Sequence, residues 1–118
     1  SFHVTSTSYV DIPSMTKYIT IPGGTTADVM VMFCTETGPD ADDKVYVRAT
    51  IRGVVAKPDS ALLADAPSSG GPSRCALFYE TNVAAGSPAI KMQVRAVGGA
   101  SPDSYLLRRT LLVTANIH

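Results

Sequence analysis

Strict alternation between apolar and polar residues, in two segments, is the feature that most constrains how this chain folds. One segment reads "DKVYVRATIRG" (43–53) and the other reads "AIKMQVRAV" (89–97). A period of two places the apolar residues of a β-strand on one face and the polar residues on the other. Each segment therefore predicts a strand with one face in a core and the other face outside.

Similar stretches recur along the chain and are separated by turn residues. The nine glycines and eight prolines concentrate between the apolar stretches, as expected of a β protein. Roughly seven or eight strands, at intervals of about ten to fifteen residues, are typical of a sandwich or jelly roll. We therefore predict an all-β, antiparallel β-sandwich of jelly-roll type with about eight strands. The chain length of 118 residues predicts a single domain, 1–118,.

Three local predictions concern breaks in this pattern. Short strands are predicted at 4–10 and 18–21, separated by Pro13. The segment "PGGTT" (22–26) is predicted to be a turn, because paired glycines accept positive φ at little steric cost. In the last apolar stretch, the adjacent Arg108 and Arg109 indicate a bulge or a change of strand partner.

Two stretches, 29–33 and 105–113, are apolar on both faces of the predicted strand. Such a strand is covered on both sides, by a neighbouring element or by another subunit. Charged residues make up 17% of the chain, below the roughly 25% typical of soluble domains. This surplus of apolar surface favours a homo-oligomer.

The two cysteines, Cys34 and Cys75, both lie in strand-like segments. They form either a disulfide between two strands, which implies an oxidising compartment, or two buried thiols that pack as small apolar groups. The sequence leaves both alternatives open. Neither cysteine has a second cysteine or a histidine at ligand spacing, so we expect no metal there.

The acidic segment "PDADDK" (39–44) contains weak calcium candidates, Asp40, Asp42 and Asp43. Clustered carboxylates are what calcium prefers, but this spacing is only a fragment of a calcium-binding loop and lacks a distal glutamate. Lys44 follows directly and offsets part of the charge. A solvated acidic loop is therefore favoured over a metal site.

The sequence offers no convincing catalytic set. His3 and His118 lie near the ends of the chain, which argues against a nucleophile–histidine triad. The two glutamates, Glu36 and Glu80, are a minor candidate for a glycoside hydrolase pair. We expect a protein that is not an enzyme and that uses no cofactor.

The charges balance, with ten basic and ten acidic residues. A balanced chain has no general attraction for nucleic acid or an anionic membrane surface, and its longest apolar runs are too short to span a bilayer. No stretch at the amino terminus has the basic start and apolar centre of a signal peptide; earlier removal of one is an open alternative, so the sequence leaves the compartment open. We expect neither nucleic acid nor membrane as a partner.

The polar faces of the two alternating segments are unusually rich in arginine. If the two strands share a sheet, its outer face is basic and rich in hydrogen-bond donors. Three alternatives remain open: a solvated face with arginines paired to acids, a subunit interface, and a site for an anionic or glycan ligand with a stacking tyrosine. The residues of this predicted ligand or interface face are Tyr46, Arg48, Arg52, Lys91, Gln93 and Arg95.

Several segments resemble small β-sandwiches of secreted or surface-exposed bacterial and phage proteins. The likeness lies in the strands and turns of "ADVMVMFCTE", "VYVRATIRG", "VAAGSPAIKMQVRAV" and "RRTLLV". The Ala85-Gly86 turn before the strand at Ile90 also resembles the jelly-roll heads of complement-type and tumour-necrosis-factor-like trimers. The resemblance implies a secreted or surface-exposed module with a binding or structural role, and a homotrimer is the first expectation.

The expected function is a non-enzymatic structural or binding module that acts through self-association or within a larger assembly. The alternative is a carbohydrate- or anion-binding module that uses the arginine-rich face.

Overall fold

Two antiparallel sheets pack face to face, which confirms the predicted all-β sandwich. The structure is a computed structural model that describes residues 2–38, 43–65, 73–98 and 104–118. In these segments no helix has the length and apolar character needed to cross a membrane. The strands are β1 (Phe2–Val4), β2 (Val10–Tyr18), β3 (Ile21–Gly38), β4 (Lys44–Ile51), β5 (Val54–Val55), β6 (Ala61–Asp65), β7 (Ser73–Gly86), β8 (Ala89–Val97) and β9 (Ser104–Ile117).

The strand order is that of a jelly roll. The first sheet has the order β1-β9-β3-β7, and the second has the order β2-β8-β4-β5, with β6 on the same edge of β4 as β5. The pairs β1–β9, β2–β8, β3–β7 and β4–β5 are nested and antiparallel. The chain is thus one long hairpin whose paired arms alternate between the two sheets.

The core lies between the inner faces of the two sheets. Val31 and Phe33 of β3 are fully buried, as are Val45 and Val47 of β4. Burial of each such side chain contributes about 1.5–3 kcal/mol, so the alternation read from the sequence directly stabilises the sandwich. Strands β2, β7, β8 and β9 also contribute large buried side chains to the core, namely Ile12, Phe78, Ile90, Met92 and Leu106.

The amino-terminal strands differ from the sequence prediction. Residues 5–9 connect β1 to β2, and β2 runs through Pro13 instead of stopping before it. The register of β2 against β8 shifts between Asp11 and Thr16, and Ser14 within this shift has a φ of 63°. Proline is tolerated at a bulge on an edge strand, because no ladder hydrogen bond is lost there.

The prediction of a turn at "PGGTT" is wrong, because this segment lies inside β3. The register of β3 against β7 shifts between Ile21 and Thr26. Gly24 within the shift has a φ of 78°. The paired glycines therefore produce a bulge in a long strand and not a chain reversal.

The bulge predicted at the paired arginines is confirmed. The register of β9 against β3 shifts between Cys34 and Glu36, opposite Thr110 and Leu107. Arg108 lies in the shifted segment with a φ of 46°. The extra residue in β9 turns the exposed Arg108 side chain toward Glu36 of β3, with which it forms an ion pair,.

The two-layer core predicts a sharp contrast between inner and outer aromatic residues. Phe33→Ala removes a fully buried side chain and should lower the free energy of unfolding by about 3–5 kcal/mol. Tyr18→Ala, at a position that is 71% exposed, should change it by less than about 0.5 kcal/mol. Urea denaturation measures both values. Equal effects of the two substitutions would contradict the packing described here.

Candidate functional site

The outer face of the second sheet brings the predicted arginine-rich cluster together. β4 and β8 are neighbours, with Tyr46 opposite Arg95 and Arg48 opposite Gln93. The neighbouring β2 places Asp11 opposite Gln93. We call this surface the arginine face, and it consists of Tyr9, Asp11, Tyr46, Arg48, Arg52, Lys91, Gln93 and Arg95.

A chain of polar contacts crosses the arginine face from β4 to β2. Arg48 Nε donates to Gln93 Oε1 at 2.8 Å, and Gln93 Nε2 donates to Asp11 Oδ1 at 2.8 Å. Lys91 Nζ lies 3.7 Å from Asp11 Oδ2, and both of these side chains are about half exposed. Within the described residues, Asp11 is the one carboxylate that forms an ion pair on this face.

Two tyrosine rings are covered by guanidinium groups. The Arg48 guanidinium carbon lies 4.1 Å from the centre of the Tyr9 ring. The Arg95 guanidinium carbon lies 5.3 Å from the centre of the Tyr9 ring and 5.0 Å from the centre of the Tyr46 ring. The Arg95 Nε is buried without a hydrogen-bond partner among the described residues. Such cation–π contacts use ring surface that a sugar would need, so the structure does not favour the stacking role predicted for Tyr46.

The Tyr9 ring is a member of this face that the sequence did not reveal. It precedes β2, and its hydroxyl group is hydrogen-bonded to the hydroxyl of Ser60. The two residues are far apart in sequence, and neither lies in an alternating segment. No pattern in the sequence therefore marks Tyr9 as a neighbour of Arg48 and Arg95.

Arg52 has a different role from the other arginines, because it joins the two sheets. It lies in the turn between β4 and β5, with a φ of 53°. Its Nη2 atom donates to the carbonyl oxygens of Ala84 at 2.9 Å and Ala85 at 2.8 Å, both in β7. The backbone of Lys57 also bonds to Tyr79 of β7 in both directions. These contacts hold the rim of the second sheet against the first.

The centre of the outer face of the first sheet is apolar and lies around β3. Met30 is 48% exposed and Met32 is 37% exposed. Met32 lies between Leu77 of β7 and Leu112 of β9. We call this surface the methionine face, and it consists of Met30, Met32, Cys34, Cys75, Leu77, Tyr79, Thr110, Leu112 and Thr114, none of which is charged.

The two cysteines are bridged on this same surface. Cys34 and Cys75 are directly opposite on β3 and β7 and form a disulfide. Of the two alternatives left open by the sequence, the structure has the bridge and not two buried thiols. The bridge links residues 41 positions apart and adds an uncharged, partly exposed group to the methionine face.

Two side-chain pairs flank the methionine face, one beyond each of its ends along β3. At one end, Arg108 Nη1 donates to both carboxylate oxygens of Glu36, at 3.0 and 2.7 Å, and this bonding raises the pKa of Arg108. At the other end, Asp28 Oδ1 lies 3.1 Å from His118 Nε2 and accepts from the Asn82 backbone at 3.1 Å. Two hydrogen bonds lower the pKa of Asp28. The larger effect comes from the His118 side chain and the smaller from the Asn82 backbone. In each pair, the acidic side chain has its partner within the same chain.

The weak calcium candidates do not form a cluster that the structure describes. Asp43 is 1% exposed and accepts a hydrogen bond from the Ser104 hydroxyl at 2.8 Å. Asp40 and Asp42 lie outside the described residues. Among the residues that are described, no three His, Cys, Asp or Glu side chains are grouped closely enough to hold a metal ion.

The two glutamates do not form a hydrolytic pair. Glu36 lies opposite Ser73, whereas Glu80 lies opposite Val29. The two positions are about seven residues apart along the strands, which corresponds to roughly 23 Å. The carboxylates of glycoside hydrolases lie about 5–9.5 Å apart, so the proposed glycosidase geometry is absent at these two residues.

Comparisons of the chain with protein-family models, with curated proteins and with solved structures give no match. We therefore infer the function from the chemistry of the two outer faces.

The contacts at Asp28 predict a measurable titration shift. In the native protein, the Asp28 carboxyl should titrate below its ordinary pKa of 3.8. Because the folded pKa is lowered, this contact stabilises the fold above the unfolded pKa and is lost as the pH falls through the folded value. His118→Ala should raise the pKa of Asp28 in a carbon-detected NMR titration. His3→Ala is the control and should leave it unchanged; equal curves for native protein and His118→Ala would refute the assignment.

Proposed function

We propose that this protein is a non-enzymatic structural module that assembles by self-association, with the methionine face of one copy packed on a second copy of the same chain. The observation that supports the proposal is the uncharged, apolar centre of an outward-facing sheet. In an antiparallel sheet with one face in water, each strand normally places apolar residues on the buried face and polar residues on the exposed face. β3 departs from this rule at Met30 and Met32, where both faces are apolar.

The exposed area is consistent with a small interface. The five large apolar side chains on this face are between 37% and 52% exposed. At about 200 Å² each, they present roughly 500 Å², near the upper end of the largest apolar patch on a typical monomer. Two copies would bury roughly 1,000 Å², and the disulfide and threonines add to this, which approaches the lower limit for a specific interface.

Charge also favours a second copy as the occupant of the methionine face. The chain has no net charge, so two copies approach without long-range repulsion. The flanking Asp28–His118 and Glu36–Arg108 pairs are satisfied within one chain. They form a polar rim around an apolar centre, which is the usual organisation of a protein interface.

The arginine face is a less suitable interface between identical copies, although the sequence indicates an interface there as one of three alternatives. Arg48, Lys91 and Arg95 lie there against a single ion-paired carboxylate, Asp11, among the described residues. Packing two such faces together would bring like charges close, which is costly. The alternative function, binding of a carbohydrate or an anion on the arginine face, uses the opposite surface and is compatible with assembly through the first sheet.

The disulfide supports a secreted or surface-exposed location within this proposal. Disulfides persist in oxidising compartments and are rare in the reducing cytosol. The Cys34–Cys75 bridge is partly exposed, so a reducing environment would reach it directly. Two assemblies would bury the methionine face: the predicted trimer and a twofold dimer.

Two leucine substitutions separate the two faces. Leu77→Lys places a charge in the methionine face, where the native leucine is 52% exposed, and Leu62→Lys is the matched control on the second sheet, at 51% exposed. Light scattering after size exclusion should give a multiple of 12.4 kDa for the native chain and for Leu62→Lys. Leu77→Lys should reduce the mass to that of one chain, because a buried unpaired lysine is strongly unfavourable.

Circular dichroism checks that Leu77→Lys remains folded. A native protein with the mass of one chain at all accessible concentrations would overturn the proposal. So would loss of the oligomer in Leu62→Lys but not in Leu77→Lys.

A further inference from the structure

A concave pocket lies at one end of the arginine face, and its chemistry is distinct from that of the methionine face. It has a volume of about 340 Å³. Three of its side chains are cationic, Arg48, Arg52 and Lys91, and Asp11 is its one carboxylate. The remaining lining residues are Thr50, Gly53, Ala89 and Gln93. We propose that this pocket binds an oxyanion, namely a carboxylate, sulfate or phosphate group carried by a ligand.

The first support for the proposal is the excess of positive charge in this half-open pocket. Within the described residues, Asp11 pairs with Lys91, and no carboxylate pairs with Arg48 or Arg52. Two guanidinium charges therefore remain without an anionic partner there, although the chain as a whole is neutral. Walls that exclude part of the solvent strengthen the attraction of such a site for an anion.

The second support is that both guanidinium groups are held in place before any ligand arrives. Arg48 is fixed by its Nε bond to Gln93 and by the Tyr9 ring against its guanidinium. Arg52 is fixed by its Nη2 bonds to two carbonyl groups of β7. The described hydrogen bonds use neither Nη atom of Arg48 and leave Nη1 of Arg52 uncommitted. Preorganised guanidinium donors of this kind match the geometry of oxyanions.

The pocket also indicates why an oxyanion is favoured over a neutral sugar. The aromatic rings of this face, Tyr9 and Tyr46, already pack against arginines. A neutral sugar depends on an open aromatic face and on a balance of donors and acceptors. The pocket instead offers cationic donors, and both oxygens of Asp11 already have partners. Oδ1 accepts a hydrogen bond from Gln93, and Oδ2 is ion-paired with Lys91.

Asp11 gives the proposal a directional test. Its carboxylate lies within the pocket and repels an incoming anion,. Asp11→Asn keeps the shape, retains an acceptor for Gln93 and removes the negative charge. Anion affinity should therefore increase severalfold in Asp11→Asn. In Arg48→Ala it should fall about tenfold or more, because a charge-assisted hydrogen bond is lost.

The experiment is an NMR titration of nitrogen-15-labelled protein with sodium acetate, sodium sulfate and sodium phosphate, at ionic strength held constant with sodium chloride. We expect saturable shifts at the Arg48 Nε–H group and at backbone amides of 50–53 and 89–93. Arg74→Ala removes an exposed arginine on β7 and is the matched control, with unchanged affinity. The anion that binds most tightly identifies the ligand group as carboxylate, sulfate or phosphate.

Two outcomes would overturn the proposal. One is a linear, non-saturating response to all three anions. The other is an equal loss of affinity in Arg74→Ala and Arg48→Ala, which would show general attraction to positive charge. The pocket belongs to one chain, so Leu77→Lys should bind the same anion, and failure of self-association is thereby distinguished from failure of this site.

Discussion

The pairing of β3 with both β7 and β9 is the constraint on which the rest of this structure depends. β3 spans Ile21–Gly38 and lies in the middle of the first sheet. With a period of two, one strand places Val31 and Phe33 in the core and Met30 and Met32 outside,. A register slip of one residue would exchange these two sets. The core and the methionine face are therefore set by the same hydrogen-bond register. The Cys34–Cys75 bridge links β3 covalently to β7 in this register.

The sequence predicts much of this architecture, because alternation reports directly on burial. It assigned the outward positions of Arg48, Lys91 and Arg95 correctly, and the neighbouring arrangement of β4 and β8 then follows from the fold. Other features depend on contacts between distant residues. The packing of Tyr9 against Arg48 and the reach of Arg52 into β7 have no local pattern. The bulged glycines at 22–26 resemble a turn in sequence, since the same positive φ serves both structures.

The two outer faces divide the surface into two kinds of chemistry. The methionine face is apolar, bordered by satisfied ion pairs, and suited to a partner that is itself apolar,. The arginine face carries fixed cations with few carboxylates, and is suited to an anionic group,. They lie on opposite sheets, so one copy of the chain can assemble through the first and present the second. Such a division would produce a multivalent array of anion sites.

The most direct test of this account is hydroxyl-radical footprinting of the native protein at a low and a high concentration. Met30 and Met32 report on the methionine face, and Met15, a partly buried methionine of the second sheet, is the internal reference. The account predicts that Met30 and Met32 become protected from oxidation at high concentration, while Met15 and Tyr46 react as before. Unchanged reactivity of Met30 and Met32, or protection of Tyr46 instead, would contradict it.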